Sequence, residues 1–271
     1  MLSRQKVLKF QKAETDQKDE SELGPLARTI GVFLDLTEEE ISALDALNRQ
    51  KIHLAAQQDL YLEGDAIDRT YVLLHGWMCR HRTLEDGRRQ IMSFVLPGDL
   101  LNHFGAYQPT TIHTVTALTD AVLASFSCHD IVSLSRAYPR LGAAFAWLGA
   151  RKYSLLEEHV VRIGRRNAYE RIAHMLLELL HCLNVVDDSC EDGYELPVTQ
   201  EILGDALGLS LVHVNRTLRR LRKEGLIQMD SNRRIVILDM DALTEIAEFS
   251  PDYLQHRSIP ILTEENLQKV G

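Results

Sequence analysis

The segment from Leu196 to Leu238 constrains this chain more than any other. Thr199 is placed to cap a helix running to Leu207, because its side-chain oxygen can accept from a free first-turn amide. Gly208 then supplies a turn in which positive φ costs glycine little. Ser210 caps a second helix reaching about Glu224, and Gly225 ends it. A turn at Asp230-Ser231-Asn232 leads into an extended run, Ile235 to Leu238. Helix, turn, helix and hairpin in that order describe a winged helix-turn-helix.

The second of those helices has two faces. Val214, Leu218 and Leu221 recur at i, i+4 and i+7, which sets them on the core side. At ~100° per residue Arg216 points almost directly away from that side. Val212, His213, Asn215, Arg219 and Arg220 surround it. From Ser210 to Arg234 seven cations (Arg216, Arg219, Arg220, Arg222, Lys223, Arg233 and Arg234) face two anions, Glu224 and Asp230, a net +5. The whole chain carries −9, which excludes a generic polyanion binder coated in positive charge. Positive charge focused on one helix and its wing is the electrostatic footprint of double-stranded DNA binding. A solvated charged helix beside an ordinary turn is the alternative. Caps, glycine turn, two-faced helix and wing together argue against it.

In a major groove Arg216 is suited to guanine O6 and N7 and Asn215 to adenine, with Ser210 and His213 on a base edge or a phosphate. Val212 is an apolar tip. Backbone amides at Thr199 and Gln200, at the first helix's N-terminus, are placed to hold a phosphate. Asn232, Arg233 and Arg234 of the wing add phosphate contacts.

The remaining residues divide by period. At ~150 residues per domain, 271 residues make about two domains. Residues 1–34 read as a mobile arm, since Gln11 to Glu22 hold one alanine and no larger apolar residue. Residues 35–138 read as a β-roll sensor domain. It opens with a short helix near Thr37, whose spacing to Glu40 is that of a capping box. Turn glycines follow at Gly64, Gly76, Gly87 and Gly98, in steps of 12, 11 and 11 with short β-rich runs between them. Residues 139–166 read as one long helix, with Pro139 in its first turn.

In that helix Leu141, Leu148 and Leu155 repeat every seven residues, with Phe145, Lys152 and His159 in a second row. The stripe fits either packing on its own domain or a coiled-coil-like seam. Gly142, Ala143, Ala146, Gly149 and Ala150 permit close helix approach and favour a homodimer through residues 139–164. Residues 167–249 hold another helix, about 168 to 182, a polar surface loop at 184–195 and the winged helix-turn-helix. Residues 250–271, with Pro251 and Pro260, read as an irregular tail.

A β-roll, a long dimerisation helix and a C-terminal winged helix-turn-helix, an α+β chain, resemble the CRP/FNR superfamily of bacterial transcription regulators. The resemblance spans roughly residues 35–245 and is strongest in the Leu-Gly-Leu-Ser-x-x-x-Val-x-Arg run, Leu207 to Arg216. Arg171-Ile172-Ala173, Leu74-x-Gly76 and Pro97-Gly98-Asp99 also look like the family's motifs. The resemblance implies a cyclic-nucleotide-binding-like fold for the roll and a symmetric dimer with one recognition helix per half-site. It places Ser210, Asn215 and Arg216 at DNA-contacting positions. Many members carry a glutamate where this chain has Val212. Valine can meet a thymine methyl but cannot accept from cytosine, so the half-site differs from the best-known one.

Cyclic-nucleotide binders of the family use a Gly-Glu pair and an Arg-Ser/Thr-Ala run. This chain has Asn102-His103 and Thr111-Ile112-His113 there. Without that arginine a buried phosphate is left unpaired, so cyclic AMP is not expected, nor any other cofactor. An effector, if one exists, falls at His103, Thr111 and His113. The iron–sulfur branch has cysteines near its N-terminus, whereas the first cysteine here is Cys79.

Cys79, Cys128, Cys182 and Cys190 form no Cys-x-x-Cys pair, and a chain this long needs no disulfide framework. The histidines show no metal-ligand spacing. No run approaches the ~18 apolar residues of a membrane span, and Met1 to Phe10 lacks the apolar core of a secretory signal. A cytoplasmic, DNA-binding dimer on a near-palindromic site is the expectation, with RNA polymerase as a further partner where it activates. The alternative is a ligand- or redox-sensing module whose helix-turn-helix mediates protein contacts, and the basic face argues against it. No nucleophile–base constellation, phosphate loop or metal motif suggests an enzyme.

Overall fold

Alternating apolar residues in eight short strands build the first half of the molecule. The computed structural model describes residues 23–102, 110–185, 190, 193–231 and 233–254. The strands are β1 (Lys51–Leu54), β2 (Asp59–Tyr61), β3 (Arg69–His75), β4 (Met78–Thr83), β5 (Arg89–Val95), β6 (Leu100–Leu101), β7 (Thr114–Ala117) and β8 (Ala121–Ser127). They form two antiparallel sheets, in the orders β1-β8-β3-β6 and β2-β7-β4-β5. Val72 pairs with Ala124 in one, and Cys79 with Thr116 in the other. Leu54, Leu73, Met78, Val95, Leu101, Val115 and Leu123 share one buried cluster in the roll. Burial of each such side chain stabilises by about 1.5–3 kcal/mol.

Two expectations at the edges of the roll change. Residues 1–22 of the expected arm lie outside the described residues, but its last part is folded. Helix α1 (Pro25–Gly31) buries Leu26, Ala27 and Ile30, and Phe33 and Leu34 follow into the same cluster. The polar composition that marks an arm stops at Glu22, and the apolar residues beyond it have a surface to cover. Helix α2 (Glu38–Asp45) begins with the expected capping box, Thr37 N donating to Glu40 Oε2 at 2.9 Å. At the other edge, inside the span read as β-roll, lies an unanticipated helix α3 (Cys128–Ala137). Its signal was legible, because Ser127 and Asp130 form a capping box of their own.

Helix α4 (Pro139–Arg165) has the expected length, and its apolar stripe faces its own chain. Leu141, Phe145 and Leu148 pack with α1 and the roll, while Lys152 reaches Asp99 Oδ2 at 2.6 Å. The predicted seam is therefore an intramolecular one. A heptad stripe shows that a helix has an apolar face but does not say whose surface covers it. The other side of α4 exposes Ala146, Ala150, Tyr153, Glu157, Val160 and Gly164, at alternating steps of four and three, flanked by Leu156 and Val161.

Arg166 leaves the helical region and Asn167 caps α5 (Ala168–Asn184), accepting from Tyr169 and Glu170 amides. Beyond it come β9 (Gly193–Glu195), α6 (Gln200–Leu207), α7 (Leu211–Lys223), β10 (Ile227–Met229), β11 (Arg234–Ile237) and α8 (Met240–Ala247). The small sheet has the order β10-β11-β9. The end of the expected polar loop, 184–195, is thus a strand. Tyr194 is buried there and its hydroxyl donates to the Leu176 carbonyl at 3.0 Å. The start of the expected tail is also ordered. Pro251–Tyr253 form a 3-10 turn, Leu254 is buried, and Tyr253 donates to Glu178 Oε2 at 2.9 Å. Residues 255–271 lie outside the described residues.

The winged helix docks on the roll. Trp77, Cys79, Ile91 and Leu96 join its core cluster. Arg89 pairs with Asp205 at 2.8 Å, and Gln90 donates to the Ala206 carbonyl at 3.2 Å. Where α4 meets α5, Arg162 is 3% exposed and binds Glu178. Its Nε donates to His174 Nδ1 at 3.2 Å, and His174 Nε2 lies 3.1 Å from Glu158. Burial, with Arg162 and Arg166 nearby, depresses the His174 pKa to about 2. The ring is thus neutral, and its Nε2 proton makes a hydrogen bond rather than an ion pair.

Candidate nucleic-acid interface

The helix-turn-helix is fixed by its caps. Thr199 Oγ1 accepts from Ile202 N at 3.2 Å, and Gly208 closes α6 at φ +63°. Ser210 Oγ accepts from His213 N at 3.4 Å and lies 2.7 Å from His213 Nδ1. Gly204 lies where α6 crosses the turn. A Cβ there would stand 2.6 Å from the Leu209 carbonyl oxygen, which real Cβ atoms do not tolerate. We expect Gly204→Ala to destabilise the winged helix by about 1–3 kcal/mol, as overpacking does, read as a lowered urea midpoint.

The two faces of α7 are as the sequence suggests. Val214, Leu218 and Leu221 are wholly buried, and Thr217 joins them. Val212, His213, Arg216 and Arg219 are exposed on the outer side. Asn215 is half-buried and donates to Gln200 Oε1 at 3.0 Å, so the N-terminus of α6 and the reading face of α7 form one surface. Arg216 and Arg219 have no ion pair among the described residues. Such free guanidiniums are available to an external anion or base.

Arg220 differs from the other candidates. It pairs with Glu224 at 2.8 Å and its guanidinium sits 4.1 Å above the Tyr169 ring, whose hydroxyl donates to Glu224. The structure places it in a cluster with Glu224 and, at the start of α5, Tyr169. Sequence spacing alone could not show this, because Tyr169 is 51 positions distant. In the wing, Arg233 is exposed at φ +63° and Arg234 donates its amide to Asp230 Oδ1 at 2.9 Å. Asn232 lies outside the described residues.

Of the candidate effector residues, the two that are described, Thr111 and His113, carry no charge at pH 7. His103 lies outside the described residues. Thr111 is buried and its hydroxyl donates to the Leu62 carbonyl at 2.5 Å. His113 Nε2 lies 3.4 Å from the Tyr61 hydroxyl. Burial, then nearby Arg80, depresses its pKa to about 4, so the ring is neutral at pH 7. None of the four cysteines is exposed. Burial raises Cys79 to about 12, which suppresses the thiolate. Among the described residues no three His, Cys, Asp or Glu side chains converge as metal ligands.

Residues 51–138 match the cyclic nucleotide-binding domain family, and residues 170–246 match the Crp-like helix-turn-helix domain. The nitrogen fixation regulation protein FixK of Bradyrhizobium diazoefficiens is 30% identical over 202 residues, covering 74% of this chain and 83% of that one. The chain belongs to the CRP/FNR family of transcription regulators. Another relative, the transcriptional activator protein FnrL of Cereibacter sphaeroides, is 27% identical over 212 residues, covering 77% of this chain and 84% of its own. Among solved structures, FixK2 from Bradyrhizobium japonicum superposes with a TM-score of 0.67 at 25% identity, over 74% of this chain and 98% of that one.

As a CRP/FNR regulator the chain is a DNA-binding transcription factor and not an enzyme. Its roll carries the family's cyclic nucleotide-binding fold, and its second domain carries the helix-turn-helix. No helix among the described residues is long and apolar enough to cross a membrane.

Proposed function

We propose that this regulator binds a near-palindromic site as a symmetric dimer, each protomer setting the N-terminal half of α7 into the major groove. The free Arg216 on the exposed face of α7 carries this reading. Arg216 takes a guanine, Asn215 an adenine, and Val212 packs on a thymine methyl. The amides at Thr199 and Gln200, with Arg219, Arg233 and Arg234, hold phosphates. Half-sites lie about one helical turn apart. RNA polymerase is the further partner at sites where the protein activates.

The dimer forms through the outer face of α4: Ala146, Ala150, Tyr153, Val160 and Gly164. With Glu157 counted in the row, the spacing alternates four and three as in a coiled-coil seam, and this face is left exposed once the Leu141–Leu148 stripe is covered. Glu157 sits within the same row and disfavours a tighter, wholly apolar seam. We expect Val160→Asp to yield monomers in sedimentation equilibrium, with binding to a full palindrome falling to that of a single half-site. A dimer of unchanged affinity would remove α4 from the interface.

The roll takes no cyclic nucleotide in this reading. Thr111 stands where the family's cyclic-nucleotide binders carry the phosphate-neutralising arginine, its hydroxyl is occupied by a carbonyl, and His113 two residues on is neutral. Binding itself is tested by salt. With six or more phosphates engaged, affinity for duplex DNA should fall by about a thousandfold or more between 50 and 200 mM salt. A salt-independent affinity would favour protein contacts instead.

A further inference from the structure

Seven cations lie between Ser210 and Arg234, and the fold does not leave them equally free. Arg216 and Arg219 have no ion pair among the described residues. Arg220 follows Arg216 by four residues, about 6 Å along α7 and ~40° around it. It therefore stands on the same outer side, one turn further along, and is exposed there. A helix about 10–12 Å across fills a major groove about 12 Å wide, so side chains on that side lie close to backbone phosphates. By position alone Arg220 is a phosphate contact.

Its guanidinium is engaged elsewhere. Nε donates to Glu224 Oε1 at 2.8 Å, and the group lies 4.1 Å from the centroid of the Tyr169 ring. The Tyr169 hydroxyl donates to the other carboxylate oxygen, Glu224 Oε2. Each of the three side chains thus holds the other two. The Tyr169 hydroxyl, and then Arg220, keep the Glu224 carboxyl below its usual range, so it is ionised at pH 7. An exposed i,i+4 ion pair by itself restrains an arginine weakly. Here the ring adds a cation–π contact, and the hydroxyl fixes the carboxylate. Tyr169 comes from the start of α5, so the clamp reaches beyond α7. The Arg220 and Glu224 side chains remain 59% and 41% exposed. DNA can approach them, but a phosphate has to displace a carboxylate already in place.

We propose that Glu224 and Tyr169 are positioning residues that withhold Arg220 from the DNA backbone. Arg220 then makes no phosphate contact, and affinity for any duplex is lower than the charge of α7 implies. The proposal rests on the reading that sets α7 in the major groove.

The test is binding of the full-length protein to a duplex of random sequence, followed by fluorescence anisotropy from 50 to 200 mM salt. Wild type is compared with Glu224→Gln, Arg220→Gln/Glu224→Gln and Arg222→Gln/Glu224→Gln. Glu224→Gln should bind at least about threefold tighter at 50 mM salt. That advantage should shrink about threefold by 200 mM, because one more phosphate adds ~0.9 to the slope of log affinity on log salt. Arg220→Gln/Glu224→Gln should return to wild type in both affinity and slope. Arg222 is the charge control: it lies ~120° from Arg216 around α7, and its Nε donates to the Leu218 carbonyl. Arg222→Gln/Glu224→Gln has the net charge of wild type but leaves Arg220 released, so it should keep most of the gain. Its return to wild type would make the effect one of net charge and overturn the proposal. Glu224→Gln binding no tighter than wild type would overturn it too. So would Arg220→Gln/Glu224→Gln binding more weakly than wild type with a shallower slope, since Arg220 would then already grip a phosphate. These three results leave the α7 reading standing, whereas a wild type whose affinity ignores salt would overturn both.

Discussion

Arg216→Ala should weaken binding to the preferred duplex by about 1–3 kcal/mol per half-site, and it should relax specificity at one base pair in each. Fluorescence anisotropy on the preferred site and on duplexes altered at single positions reads both effects. The size follows from the loss of a bidentate contact to guanine, which no other group on α7 can replace. Asn215 is half-buried against Gln200, and Arg220 is held by Glu224 and Tyr169. Folding should not change, since Arg216 is exposed and has no ion pair among the described residues. Arg219→Ala makes the contrast. As a phosphate contact it should weaken all sequences alike and reduce the salt slope by about one. If Arg216→Ala lowered affinity equally for every duplex, Arg216 would be a phosphate contact and the base assignment would be wrong.

Glu178→Ala should be the most destabilising single change at the junction of α4 and α5. It strands Arg162, which is 3% exposed and has no other ion pair among the described residues, and removes the acceptor of the Tyr253 hydroxyl. Removing one partner of a buried pair costs about 3–5 kcal/mol. The double variant Arg162→Met/Glu178→Ala should recover most of that loss, because the uncompensated charge goes with its partner. Urea denaturation followed by tryptophan fluorescence measures both. A single-variant loss below about 1 kcal/mol would mean that water reaches this junction and the pair behaves as a surface one.

The winged helix was legible because its signals are local. Caps at Thr199 and Ser210, a glycine at positive φ and a helix with opposed faces lie within 40 residues, and each acts over one turn of chain. The turn glycines of the roll are equally local, and all four lie at positive φ. What the sequence hid depends on partners far along the chain. The Leu141–Leu148 stripe predicted a helix face correctly, yet its partner is the roll and α1. That assignment needs the tertiary fold. Gly193–Glu195 read as loop because three residues give no period, and only pairing with β11 makes them a strand.

The most direct test of the account is selection of bound duplexes from a random DNA pool by the full-length wild-type protein. A two-fold symmetric motif is predicted, with half-sites about one helical turn apart and each containing a guanine for Arg216. Enrichment of an asymmetric single site, or of no sequence at all, would contradict a symmetric dimer that reads DNA through α7.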